Sequence, residues 1–306
     1  MTGERSLKPG DILSYSAGRS DLDPEGYRVV HRPDPGEDRL SQVVRSFPQL
    51  GSMFVEAPVL AINCYPATLG AFPNGIWVDT YLRPENLSRS LILAAKRDMT
   101  VALLGQPLAL LDLLLRHVRG GHPVPRRMMV VTGGYRCPSA AEAAMSSWCA
   151  GITEFCVLHA YGAAEVDAAC LVGVRPQGQS EPRYQVVADD VECMAEDGWL
   201  LLRRSGQPPV RTGDRIEMTQ AGYVITPGPE RLATCARESL DSWSTDDWER
   251  RTGWIGWRGS AMCFQLRQGH TPHAESEVPF WRFGEEFGFS WLDKPRWVPP
   301  CDVVCE

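Results

Sequence analysis

The sequence predicts an α/β fold: a parallel sheet covered by helices, joined to a β-rich region and followed by a small α+β unit. Three observations carry this. Short apolar runs of strand length alternate with leucine- and alanine-rich runs at helical spacing between residues 55 and 160, the pattern of successive strand–helix–strand units. After Ala164 the texture changes to short strands separated by Gly and Pro. From about Gly228 it changes again, and seven of the ten tryptophans fall between Trp243 and Trp297.

The elements follow in order. Residues 1–50 are polar and rich in Pro, Gly and Arg, with few periodic runs. Val55 to Cys64 is an apolar run bounded by Pro58 and Pro66 and reads as a buried strand. Pro84 to Lys96 reads as a helix, and Met99 to Leu104 as a second buried strand. Leucines at helical spacing run from Pro107 to Val118, with Gly120-Gly121 as a stop. Arg127 to Thr132 is a third strand ending at Gly133-Gly134. Ser139-Ala-Ala-Glu142 reads as a capping box opening another helix. Phe155 to His159 is a fourth strand. Ala168 to Val174, Arg183 to Val187, Trp199 to Arg203 and Tyr223 to Thr226 make the β-rich part. The tail is expected to hold a strand from Ala261 to Arg267, a helix from Glu275 to Phe287 and a strand from Phe289 to Trp291. These textures divide the chain into a large domain, 1–227, and a small one, 228–306.

Composition narrows the function classes. A net charge of −7 among 306 residues argues against a nucleic-acid surface, which needs clustered basic charge. Lysine occurs only at Lys8, Lys96 and Lys294, leaving 31 − 3 = 28 arginines and few candidates for a catalytic lysine. The ten cysteines form no Cys-x-x-Cys pair, so no zinc site is expected. The longest apolar stretch, Val101 to Leu115, is interrupted by Gln106, Pro107 and Asp112 and falls short of the ~20 residues of a membrane helix. The N-terminus leads into no apolar core, so no secretory leader is expected. These features point to a cytoplasmic protein with reduced thiols.

Two motifs carry the chemistry. Val157-Leu-His-Ala-Tyr-Gly-Ala-Ala-Glu165 follows a strand, and Val210-Arg-Thr-Gly-Asp214 comes 214 − 165 = 49 residues later. Together, with Gly133-Gly134 upstream, they resemble the nucleotide-contacting motifs of the adenylate-forming superfamily: acyl- and aryl-CoA synthetases, adenylation domains and luciferases. The short small domain is most similar in texture to the phenylacetate-CoA ligase branch and its relatives in secondary metabolism. The resemblance runs by order and texture from about residue 10 to 235, and by identity over about a dozen positions.

That resemblance implies a site. Gly133 and Gly134 would let the backbone approach adenine. Tyr161 and Gly162 would bear on the base, and Glu165 would act in catalysis by holding magnesium beside the phosphates. Asp214 would accept hydrogen bonds from the ribose hydroxyls. His159 and Ala160 would line the acid pocket. The phosphate loop is expected in Leu13-Ser-Tyr-Ser-Ala-Gly-Arg-Ser20, with Ser14, Ser16 and Arg19, although it lacks the family's lysine. Arg231 falls at the hinge, and Lys294 is the sole candidate for the C-terminal catalytic lysine. Ala164 replaces a threonine, and the segment expected before the phosphate loop is absent, which implies a truncated first subdomain.

The implied activity is ATP- and magnesium-dependent adenylation of a small carboxylic acid, followed by transfer to a thiol or amine, with CoA, a carrier protein or an amine as acceptor. No nucleic-acid or membrane partner is expected. The competing expectation is an eroded adenylation fold that binds a small molecule or a partner enzyme. Taken residue by residue, Gly133-Gly134 also fits a plain tight turn, Arg211 to Asp214 an ordinary β-turn, Lys294 a surface pair with Asp293, and His159 a satisfied core histidine. The tryptophans fit the core of a small domain.

Overall fold

The computed structural model describes residues 39–55, 58–65, 75–80, 83–134, 136–163 and 165–226, of Leu108 and Ala168 the backbone alone, together with the backbone of six short strands elsewhere. The first two of these, β1 (Ile12–Ser14) and β2 (Arg28–Val30), pair antiparallel. Then come α1 (Arg39–Ser46), a 3-10 turn at Pro48–Leu50, α2 (Gly51–Val55), β3 (Val59–Cys64), β4 (Ile76–Asp79) and α3 (Pro84–Lys96). The α/β part continues with β5 (Thr100–Gly105), α4 (Pro107–Arg119), β6 (Arg127–Thr132), α5 (Ser139–Trp148) and β7 (Glu154–Ala163). The β-rich part holds β8 (Asp167–Val174), β9 (Arg183–Val186), β10 (Val191–Glu196), β11 (Trp199–Arg204), β12 (Val210–Thr219) and β13 (Gly222–Thr226).

The fold is mixed α/β, and its two textures meet in one sheet. Eleven strands run in the order β10-β11-β12-β13-β9-β8-β7-β6-β5-β3-β4. From β4 to β7 the pairing is parallel, and from β7 to β10 each pairing is antiparallel. Strand β7 joins the halves. Its first six residues pair with β6 in parallel, and its extension from His159 pairs with β8 in the opposite sense.

Helices cover both faces of the parallel half, as its unbroken apolar strands require. Leu87 and Leu91 of α3, Leu110, Leu113 and Leu114 of α4, and Ala141 and Met145 of α5 pack with Leu60, Leu103, Met128 and Val157 on one face. Val43, Phe47, Leu50 and Met53 cover Val59, Ala102, Met129 and Leu158 on the other. Helices α3 and α4 each begin with Pro inside the first turn, where its missing N–H costs nothing. Gly121, at φ +63°, breaks the chain away after α4.

Several expectations need correction. Ser139 and Glu142 do not form a capping box: Pro138 is the cap residue, and no side chain bonds to the helix start. Arg211 to Asp214 is not a free turn but part of β12. Strands β4, β10 and β12 and helices α1 and α2 were not foreseen. In β12 the inward positions Thr212 and Asp214 are polar and Gly213 lies between them, so the apolar alternation that marks a half-buried strand is missing there.

The C-terminal backbone traces β14 (Gly253–Arg258), β15 (Ala261–Leu266), β16 (Phe280–Phe283) and β17 (Gly288–Phe289) in an antiparallel sheet. The helix expected over 275–287 is therefore a strand at Phe280–Phe283, where consecutive aromatic residues favour extended backbone.

Candidate functional site

The parallel strands end in register. Cys64 of β3 lies beside Gly105 of β5, Gly105 beside Thr132 of β6, and Thr132 beside His159 of β7. This is the carboxyl edge where open α/β sheets bind ligands. Gly133 continues past it, its N–H bonding the carbonyl of Gly105 at 3.0 Å.

The two glycines of that turn differ. Gly134 has φ +88°, and a Cβ there would lie 2.7 Å from the Tyr65 hydroxyl oxygen. A side chain at Gly133 would meet only Ala160, at 3.6–3.7 Å, an ordinary contact. The close approach that requires glycine at Gly134 is thus made by Tyr65 and Gln106 of this chain. Burial pushes the Tyr65 phenol up, with a hydrogen bond to Gln106 opposing it.

Strand β7 carries Tyr161 two residues beyond the register end. Its hydroxyl donates to Asp214 Oδ2 at 2.5 Å across a sequence separation of 53 residues. Strands β8, β9 and β13 stand between β7 and β12 in the sheet. In a flat sheet, four strand spacings would separate the two by roughly 19 Å, far beyond a tyrosine's reach. The antiparallel half must therefore curl over. Its sparsest junction is β9 with β13, where Tyr184 pairs with Tyr223 and no other described residues are in register. The curl encloses a core of Cys170, Leu171, Tyr184, Leu200, Leu202, Ile216 and Ile225, against which Tyr161 packs.

Asp214 is placed by a bulge. Trp199 pairs with Arg215 and Leu201 with Arg211, so two steps of β11 oppose four of β12. Gly213 takes φ +84° inside the bulge, the conformation glycine accepts most readily. Thr212 bonds the Leu200 carbonyl at 3.2 Å and accepts the N–H of Asp214 at 3.2 Å. Asp214 is 4% exposed. On the side of the strands away from that core, Trp199 contacts the guanidinium groups of Arg211 and Arg215, at 4.5 and 3.6 Å from the ring centroid. This buttresses the bulge from the solvent side.

Glu165 is half-buried in the turn between β7 and β8. The same turn is tied down by its neighbours. Arg39 bonds Asp167 at 2.8 Å, and Arg204 donates to the Val166 carbonyl at 3.2 Å. Among the described residues no group of three or more His, Cys, Asp or Glu could hold a metal ion. A single carboxylate such as Glu165 fits magnesium only where phosphates supply further ligands. Gly162 and Ala160 lie on β7 beside Tyr161. Ser14 lies on β1; Ser16, Arg19, Arg231 and Lys294 fall outside the described residues.

His159 is 2% exposed, and both ring nitrogens are turned inward. Nδ1 lies 3.2 Å from Thr132 Oγ1. Nε2 lies 3.0 Å from Glu142 Oε2, off the line of a straight hydrogen bond. Glu142 also receives Arg175 Nε at 2.6 Å, and Arg175 Nη2 bonds the Cys137 carbonyl at 2.7 Å. Next to it, Arg136 Nε and Nη2 grip Glu181 at 2.9 and 3.1 Å. Burial pushes the His159 imidazole down by more than Glu142 restores, and Arg175 and Arg136 lower it a little further, so the ring is neutral near pH 7. Burial pushes the Glu142 carboxyl up, but His159 and Arg175 overcome it and hold it below its usual range.

Sequence reasoning missed this network. It pins the segment after Gly134 to the β8–β9 connection, and Glu142 was read as a cap. The available signal was a lone acid on an alanine-rich helix face, opposite arginines that no pattern rule pairs with it.

The six cysteines among the described residues are free thiols. Burial pushes Cys64, Cys149, Cys156 and Cys193 up to about 12, so none of these four is a ready nucleophile. No described helix is long and apolar enough to cross a membrane.

No family profile and no curated protein matches the sequence. Solved structures with a similar chain path do exist. An acyl-CoA synthetase (AMP-forming)/AMP-acid ligase II-like protein from Dyadobacter fermentans is 12% identical at a TM-score of 0.47, covering 84% of this chain and 74% of that one. The anthranilate CoA ligase AuaEII, solved in complex with anthranoyl-AMP, is 12% identical at a TM-score of 0.47, covering 83% and 55%. The amide bond synthetase McbA from Marinactinospora thermotolerans is 14% identical at a TM-score of 0.46, covering 88% and 62%. The chain spans 55% and 62% of the last two by length.

Proposed function

We propose that this chain is an ATP-dependent ligase that adenylates a small carboxylic acid and passes the acyl group to a thiol or amine. The observation that carries the proposal is the meeting of Tyr161 and Asp214 at 2.5 Å, from two motifs 53 residues apart, beside the carboxyl edge of the parallel strands. A flat ring next to a buried carboxylate suits a nucleoside: the ring stacks on the base, and the carboxylate accepts the ribose hydroxyls.

In the reaction, a carboxylate oxygen of the acid bonds to the α-phosphorus of ATP and the bond to pyrophosphate breaks. Catalysis is then positioning and charge neutralisation. Glu165 would hold magnesium, which would neutralise phosphate charge. Ser14, Ser16 and Arg19 would face the phosphates, Gly133, Gly134 and Gly162 the base. His159 and Ala160 would bound the acid, with Arg231 at the hinge and Lys294 at the reacting groups. The branch nearest in texture is that of phenylacetate-CoA ligases, in secondary metabolism and in the cytoplasm, with CoA, a carrier protein or an amine as acceptor.

A pyrophosphate-release screen over aromatic and aliphatic acids tests turnover. Release with at least one acid, abolished in Asp214→Ala, is expected. Nucleotide binding without release from any acid would instead favour a fold kept for binding a small molecule or a partner enzyme. The Tyr65 hydroxyl over Gly134, where a ligand would otherwise approach, favours that second reading.

A further inference from the structure

We propose that Arg39 is a phosphate-contacting residue, its Nη1 donating to a phosphate oxygen of a nucleotide held beside Tyr161. The proposal rests on the nucleotide reading above and adds a residue that neither motif contains.

Buried donors without an acceptor are rare and costly in folded proteins. Arg39 Nη1 is one: it is buried, and no acceptor meets it among the described residues. One nitrogen each of His117 and His159 is in the same condition, but a neutral imidazole always has one bare nitrogen that donates nothing. A guanidinium nitrogen always carries hydrogens, so Arg39 Nη1 lacks something it needs. The Arg39 side chain is 24% exposed, so the group stands at the protein surface rather than sealed in the core.

Its position points to the missing acceptor. Arg39 opens α1, and its Nη2 reaches Asp167 at 2.8 Å. Asp167 pairs with Ala163 across the β7–β8 turn that carries Glu165. Ala163 lies two residues beyond Tyr161 on the same strand. Two residues of strand span roughly 7 Å. A base at Tyr161 and a phosphate at the turn therefore belong to one nucleotide-sized ligand.

The other charges of the turn leave this role to Arg39. Arg204 commits Nε to Asp190 at 2.6 Å and Nη1 to the Val166 carbonyl at 3.2 Å, with Nη2 3.8 Å from Asp167. Asp167 accepts the Ala169 N–H on Oδ1 and Arg39 on Oδ2. With Nη2 held there, the plane of the rigid guanidinium is set and Nη1 is presented beside it. A phosphate oxygen accepts such a donor in a charge-assisted bond. Glu165 in the same turn would repel a bare phosphate, so the test includes magnesium, which that carboxylate is proposed to hold.

Adenosine and AMP, each with magnesium, are titrated calorimetrically into the full chain as wild type, Arg39→Gln and Arg39→Lys. Wild type is expected to bind AMP more tightly than adenosine. Arg39→Gln is expected to lose about tenfold for AMP, the scale of one charge-assisted hydrogen bond, with adenosine unchanged. Arg39→Lys keeps a cation for Asp167 but replaces the two-pronged fork with a single ammonium. It is expected to lose AMP affinity in the same way, and it carries the test if the glutamine variant does not fold. Equal weakening for both ligands would show a strap that only holds the β7–β8 turn, and would overturn the proposal. Full AMP affinity in either variant overturns it as well. Wild type binding both ligands equally overturns it while leaving the nucleoside reading in place. Wild type binding neither ligand fells the nucleotide reading itself, and the proposal with it.

Discussion

At the scale of single residues, the site's surroundings are organised by buried charge. Two arginines, two glutamates and a histidine cluster behind the Gly133-Gly134 turn, and each charge has an opposite partner. Such pairs gain little net stability over apolar packing, but losing one member is costly because the other is left buried and unpaired. The arrangement has a pH signature. His159 is held below its usual 6.5, so the unfolded chain takes up this proton at a higher pH than the folded chain does. Stability from this residue is present above pH 6.5 and is lost as pH falls towards the folded value. His117 is likewise lowered, by burial first, and adds to the same slope. Glu142 is depressed below its usual 4.5, and its contribution is lost only at lower pH still. Thermal unfolding across pH 5 to 8 should show a falling midpoint below pH 6.5. The His159 ring should titrate below 6.5 by NMR, and a value above 6.5 would sink this account of the cluster.

At the scale of elements, the sequence was most informative where one rule acted alone. The helix at Pro84–Lys96 and the strand at Arg127–Thr132 begin and end where proline, glycine and apolar periodicity place them. It was least informative where tertiary contacts overrode local pattern. Glu142 looked like a helix cap and instead faces His159 and Arg175. The Thr-Gly-Asp segment looked like a turn and instead forms a bulge within a ten-residue strand. Gly133 and Gly134 were legible as a turn, but not as unequal partners. Gly134→Ala should destabilise by about 1–3 kcal/mol, because its backbone is left-handed and its Cβ would press on the Tyr65 hydroxyl. Gly133→Ala should change stability by less than about 0.5 kcal/mol. Equal melting temperatures for the two variants would contradict this reading of the turn.

At the scale of the whole molecule, the α/β and β-rich textures were legible, but their joining into one eleven-stranded sheet was not. The join depends on β7 pairing in parallel along half its length and antiparallel along the rest, which no local window of sequence encodes. Nor does any window encode the curl that carries Asp214 across three intervening strands to Tyr161. That curl brings together two motifs that the sheet order would hold apart, and the proposed function depends on it. Calorimetric titration of AMP with magnesium into the wild-type chain and into Asp214→Ala tests this most directly. The account predicts saturable one-site binding to wild type and at least about a tenfold loss in the variant, as expected when a charged hydrogen-bonding partner is removed. No binding to wild type, or equal binding to both proteins, would contradict it.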